Sequence, residues 1–235
     1  ETDWIFSTHG LVNGTALCVQ TWTDPGDAVI LFTPVYYVFA QVIKDAGREV
    51  HECPLVNNDG RYEMDLETAA ASLTGKEKMV VLCSPHNPGG RVWAQEELRA
   101  IADFCVEHDL ILVSDEIHHD LVYSGHKHIP MPIATPDIAD RLVMMTAPSK
   151  TFNIAGAHNG NVIISDPKLH AEFKATSMGL RISPNAFGVA METAAYSPEG
   201  AEWVDALMQY LDGNRQIFED GINAITGLSA MSLAA

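Results

Sequence analysis

Apolar runs rich in Val, Ile and Leu alternate along this chain with longer stretches in which hydrophobic residues return every three or four positions. The short runs predict strands at 28–33 (AVILFT), 48–53 (REVHEC), 78–84 (KMVVLCS), 110–116 (LILVSDE), 141–147 (RLVMMTA) and 161–166 (NVIISD). Several lack any polar alternation, which is the pattern of strands covered on both faces. Between them, "PVYYVFAQVIKDAG", "LETAAASLTG" and "AQEELRAIADFCVEHD" carry helical spacing, two of them ending near Gly. After residue 167 the pattern becomes wholly helical through "KLHAEFKATS", "NAFGVAMETAAYS" and "AEWVDALMQYLDGNRQIFEDGINAI". No linker or internal repeat interrupts the rhythm, so the chain is expected to be α/β, with a largely parallel sheet under helices. Such a sheet binds ligands beyond the carboxyl ends of its strands.

Composition narrows the partners. A length of 235 residues with 47% hydrophobic content is enough for a large core. The formal charge of −17, without a cluster of Lys or Arg, argues against a nucleic acid or an anionic membrane surface and favours a small molecule or a protein. Cys18, Cys53, Cys83 and Cys105 are scattered without CxxC spacing, three of them in apolar runs, so free thiols in a reducing cytoplasm are expected. No apolar run is long enough to span a bilayer. The chain begins at Glu1 and closes on "GLSAMSLAA", and it is expected to be a fragment.

Three loops at predicted strand ends hold the candidate chemistry: "CSPHNPGG" offers Asn87, "VSDEIHHD" offers Asp115 and His118, and "TAPSKTFN" offers Ser149 and Lys150. A neutral hydrogen-bonder, a carboxylate and an amine converging at one sheet edge suit an aromatic cofactor held as a Schiff base. The amine would form the imine, and the carboxylate would keep a pyridine nitrogen protonated. The Gly-rich turn in "THGLVNGTALCVQTW" opens an amphipathic helix whose free N–H groups favour a phosphate, and "TPVYYVF" offers Tyr36 or Tyr37 as an aromatic plate. Taken singly, Lys150 reads as a surface lysine, Asp115 as a helix cap and Asn87 as turn chemistry; their coincidence in successive loops raises the functional reading. A metal at the Asp115, Glu116, His118, His119, Asp120 cluster is disfavoured because adjacent histidines diverge, and "GHKHIP" reads as loop. No GxxxxGK[ST], HExxH or GxSxG string occurs.

"CSPHNPGGRVW", "VSDEIHHDLVYSGHKHIP" and "APSKTFNIAG", in that order, resemble the pyridoxal-phosphate enzymes of aminotransferase fold type I, and more closely the cystathionine β-lyase branch of MalY/PatB-type carbon–sulfur lyases. The resemblance implies a mostly parallel sheet of the seven-stranded type, forming a large cofactor-binding domain over residues 1–222. Residues 223–235 would lead into a small C-terminal domain that is missing here. It implies pyridoxal 5'-phosphate as cofactor, with Lys150 forming the Schiff base and moving the Cα proton, and Asp115 on the pyridinium nitrogen. Asn87 would meet the phenolic oxygen, Tyr36 would stack on the ring and Tyr37 would line the pocket. The backbone of Leu11 and Val12 with the Ser149 hydroxyl would cradle the phosphate, and His118, where many aminotransferases carry Tyr, favours the lyase branch. Asn13, Ala147 and His158 depart from the residues that relatives often carry. The implied reaction splits cystathionine or a related S-substituted cysteine into thiol, pyruvate and ammonia, in a cytoplasmic homodimer. An aminotransferase is the alternative, and a regulatory binding module or inactive fragment the second.

Overall fold

A computed structural model describes residues 2–235. Its first strand, β1 (Ile5–Thr8), leads into α1 (Leu11–Trp22), β2 (Ala28–Thr33), α2 (Tyr37–Asp45) and β3 (Glu49–Pro54). A small hairpin of β4 (Val56–Asn58) and β5 (Arg61–Glu63) precedes α3 (Leu66–Ser72), β6 (Glu77–Cys83), α4 (Gln95–Glu107) and β7 (Ile111–Asp115). The rest is α5 (Met131–Ala134), β8 (Leu142–Thr146), β9 (Gly160–Ile163), α6 (Pro167–Gly179), α7 (Ala186–Ala195) and α8 (Pro198–Asn223).

The strands form one seven-stranded sheet in the order β1-β9-β8-β7-β6-β2-β3. Neighbours from β8 to β3 are parallel, and β9 runs antiparallel to both β8 and β1. The fold is therefore the mostly parallel α/β sheet expected. The absence of polar alternation has its cause in two cores. Val29, Leu31, Met79, Val81 and Val113 face α1, α2 and α6, while Ile30, Phe32, Val80, Leu82 and Leu112 face α3 and α4. Strand side chains alternate between faces, so central strands covered on both sides must be apolar throughout. Phe173 of α6 is fully buried against Phe6 and Trp22 and seals the first core.

Register sets up the site. Cys83 at the end of β6 pairs with Asp115 at the end of β7, and Asp115 pairs with Met145 of β8. The loops after the three strands therefore leave the sheet at one level. β9 is reversed because residues 147–159 connect it to β8 without a crossover helix, and a parallel return needs one.

Three strands escape the hydrophobic pattern: β1 and the β4–β5 pair are three or four residues long and sit at an edge or outside the main sheet. Asp59 and Gly60 turn the hairpin with φ of 49° and 85°, as a tight two-residue turn requires. Beyond α8, which buries no residue, the chain doubles back so that Ala234 N–H donates to Gly90 O at 2.8 Å and Tyr123 N–H donates to Ala234 O at 3.0 Å. All four cysteines are buried free thiols, and no helix among the described residues is long and apolar enough to cross a membrane.

Candidate active site

The loops that follow β6, β7 and β8 meet the N-terminus of α1 around a cavity of about 310 Å³, within the size range of small-molecule sites. Leu11, Val12, Tyr36 and Asn87 line it. So do Asp115, His118, Ser149 and Lys150, so that all the candidates but Tyr37 reach the same space. Tyr37 does not: it begins α2, is 68% exposed and is not among the residues lining the cavity, so the expectation that it lines the pocket is corrected. Tyr36, the non-helical residue before α2, packs edge-on against Phe39, which also lines the cavity.

Asp115 lies at the floor, 5% exposed, with no ion-pair partner among the described residues. Burial pushes its carboxyl up to about 7, with the charge of Glu116 adding to the rise; the Ile117 N–H, donating at 3.1 Å, and the Lys150 ammonium oppose it. The hydrogen bond to Ile117 is the turn-capping role open to any aspartate here, but it leaves the buried charge without a cation. Lys150 lies in a short turn after β8, where Phe152 N–H donates to Pro148 O at 2.9 Å and Ile154 N–H to Ser149 O at 3.0 Å, and its side chain stays exposed at the cavity. Burial, with the nearby Lys150 charge, pulls the His118 imidazole below its ordinary range, so it is neutral at pH 7. His119 turns elsewhere: its Nδ1 lies 2.7 Å from Glu116 O and 3.1 Å from Thr146 Oγ1. The two histidines thus diverge as their adjacency requires.

The opposite end of the cavity is built from backbone. Gly10 precedes α1 with φ of 80° and no side chain caps the helix, which leaves the first N–H groups free at the cavity. Gly160 presses against this turn; a Cβ there would come within 2.7 Å of Leu11 Cδ2 and 3.1 Å of Leu11 N. Ser149 Oγ donates to Asn159 O at 3.5 Å, tying the lysine loop to the same corner. Asn13, one of the departures, accepts the His9 N–H at 3.2 Å and braces the approach to the helix.

Cys83, His9, Phe39, Ile117 and Ala155 also line the cavity and were not assigned to it from sequence; His158, one of the departures, lines it too. Cys83 had a signal in its place at a strand end beside "SPHNP". Its thiol is pushed up to about 12 by burial and by Asp115, so it is protonated; it accepts the Asn87 N–H at 3.3 Å and steadies that loop.

These residues fit a phosphorylated pyridine aldehyde. The unpaired buried carboxylate suits a protonated ring nitrogen, the amine suits an imine, Tyr36 offers a ring face, and the close-packed Gly10–Leu11 turn offers a glycine-lined anion corner. Fold and site together define an α/β domain with a lysine–carboxylate cavity at the carboxyl edge of its sheet.

The comparisons give the family. Residues 3–234 match the model of the aminotransferase class I and II family, and the chain belongs to it. The cystathionine β-lyase PatB of Bacillus subtilis is 41% identical over 207 residues, 87% of this chain and 53% of that protein. The chain spans about half the length of the curated relatives it matches. A crystal structure of OvoB superposes over 100% of this chain and 62% of its own, with TM-score 0.95 and 35% identity. A pyridoxal-phosphate-bound C–S lyase from Staphylococcus hominis superposes with TM-score 0.87 at 34% identity, over 94% of this chain and 55% of its own.

Proposed function

We propose that this chain is the cofactor-binding part of a pyridoxal-phosphate-dependent carbon–sulfur β-lyase that acts on cystathionine or a related S-substituted cysteine. The observation that carries the reading is the buried Asp115 carboxylate, without a protein cation, on the same cavity as Lys150. Similarity to PatB and to the staphylococcal C–S lyase supports the lyase branch.

In this reading Lys150 Nζ would hold the cofactor through its carbonyl carbon and, once the substrate amine has displaced it there, would be free to take the proton from the substrate Cα. Asp115 would keep the ring nitrogen protonated, and Tyr36 would cover one ring face. Asn87 would donate to the phenolic oxygen, and neutral His118 would line the same cavity. The Leu11 and Val12 N–H groups and the Ser149 hydroxyl would bind the phosphate. When bound, the cofactor supplies the electron sink that allows a thiolate to leave from Cβ. With one water consumed in hydrolysis of the eliminated fragment, pyruvate, ammonia and thiol would be the products. Four buried free thiols accord with a reducing cytoplasm, and exposed apolar residues such as Phe187 on α7 and Ile217 and Phe218 on α8 accord with a homodimer.

The test is an absorbance titration of the purified protein with pyridoxal phosphate, then borohydride reduction and peptide mapping, with Lys150→Ala as control. Label on Lys150, lost in the variant, is the expected result; a folded protein that takes no label refutes the cofactor reading. With cystathionine as substrate, pyruvate and free ammonia are expected. Stoichiometric transfer of the amino group to an added keto acid instead makes the protein an aminotransferase.

A further inference from the structure

The anion corner of the cavity is braced from behind by α7. Gly160, which opens β9 and presses on the first turn of α1, stands between two asparagines. Directions alternate along an extended segment, so Asn159 and Asn161 share one face while Gly160 turns its bare Cα to Leu11 on the other. Both asparagines reach one carboxylate: Asn159 Nδ2 donates to Glu192 Oε2, and Asn161 Nδ2 donates to Glu192 Oε1 at 2.5 Å. The backbone O of Asn159 in turn accepts the Ser149 hydroxyl at 3.5 Å. The start of α7 is tied to the same turn, for Asn185 accepts the Phe187 N–H at 3.1 Å and donates from Nδ2 to Ala157 O at 2.7 Å. Gly188 completes the fit, since a Cβ there would come within 2.7 Å of Ala157 O and 2.9 Å of Asn159 Cβ. Glu192 itself is half-buried and does not line the cavity.

We propose that Glu192, resting on the cofactor reading above, is a positioning residue: by clamping the asparagines on either side of Gly160 it fixes the groups that would hold the cofactor's phosphate, the first N–H groups of α1 and the Ser149 hydroxyl. Hydrogen bonds to an anion weaken steeply with misalignment, so a corner built from backbone needs its backbone held. A carboxylate suits the task because it offers two acceptors to two carboxamide donors. Its negative charge would oppose a phosphate, so the role is one of geometry and not of charge. Glutamine should therefore replace it, keeping one acceptor and offering an NH2 that the second asparagine meets by turning its amide over. Alanine cannot.

Four proteins test this: wild type, Glu192→Ala, Glu192→Gln and Asn161→Ala. Each is titrated at pH 7.5 with pyridoxal phosphate and with unphosphorylated pyridoxal, with the yield of borohydride label on Lys150 and a melting curve as companions. Glu192→Ala is expected to bind pyridoxal phosphate on the order of tenfold more weakly, about the share of one hydrogen bond to a charged group, while pyridoxal stays within about threefold of wild type. Asn161→Ala, which removes one arm of the clamp, is expected to show a smaller loss of the same kind, and Glu192→Gln to stay within about threefold for both ligands. Equal losses for the two ligands in Glu192→Ala, no loss at all, or a glutamine variant as weak as the alanine one overturns the proposal; label on Lys150 then leaves the cofactor reading standing. If Glu192→Ala does not fold, Asn161→Ala decides by the same comparison of ligands, and failure of both to fold overturns the proposal, because the contact would then hold the fold and not the corner. A wild type that takes no label overturns the cofactor reading, and this one with it.

Discussion

Asp115→Asn in the cofactor-free protein is the sharpest perturbation available, because it removes a charge the structure holds at a cost. The carboxyl is carried from 3.8 to about 7. At roughly 1.4 kcal/mol for each tenfold change in proton affinity, ionising it in the folded state costs about 4 kcal/mol. The folded value lies above the unfolded one, so folding favours the protonated form. Stability is intact below about pH 4 and is lost as pH climbs through about 7. About 3 kcal/mol of that loss accrues between pH 5 and pH 8.5. Asparagine retains an oxygen to accept the Ile117 N–H, now at 3.1 Å, and carries no charge. Urea unfolding of both proteins at the two pH values should therefore show the advantage of Asn growing by about 3 kcal/mol on going from pH 5 to 8.5. The net charge of −17 acts on both proteins and largely cancels in the difference. Pyridoxal phosphate should then stabilise wild type more than the variant at pH 8.5, since a ligand adds stability in proportion to its affinity for the folded state. A difference that is flat with pH would refute the claim that Asp115 is buried without a cation.

Two further outcomes test the ends of the cavity. Gly160→Ala would drive a methyl to 2.7 Å from Leu11 Cδ2 and shift the first turn of α1, so affinity for pyridoxal phosphate should fall on the order of tenfold while affinity for unphosphorylated pyridoxal stays unchanged; equal losses for both would place the anion corner elsewhere. Burial pushes Cys53 up to about 11 and Cys83 and Cys105 to about 12, and Cys18 is raised as well, so Ellman's reagent should find no reactive thiol in the folded protein at pH 8 and four after urea.

What could be read from the chain alone was what local chemistry enforces. The central strands were legible because two cores leave no room for a polar side chain, as Val29 and Ile30 or Val80 and Val81 demonstrate by facing opposite ways. Lys150, Asp115 and Asn87 were legible because each ends such a strand or lies in the loop that follows it, where a polar side chain close behind a doubly buried run is conspicuous. Short elements were not: three residues on either side of Asp59–Gly60 give too little period to distinguish a hairpin from a loop, although the turn pair itself was a usable signal. The reversal of β9 and the choice of Tyr36 over Tyr37 depend on where a connection ends and where a helix begins, which adjacent residues of one type do not encode. The "GHKHIP" segment makes the limit plainest. Read locally it is a polar loop, yet His128 within it reaches Glu116 at 2.6 Å, because β7 turns that glutamate away from Asp115 and toward the loop. A contact made with a partner on the far face of a strand becomes visible only when the strand's alternation is known, because one residue along the chain the side chain serves the opposite core.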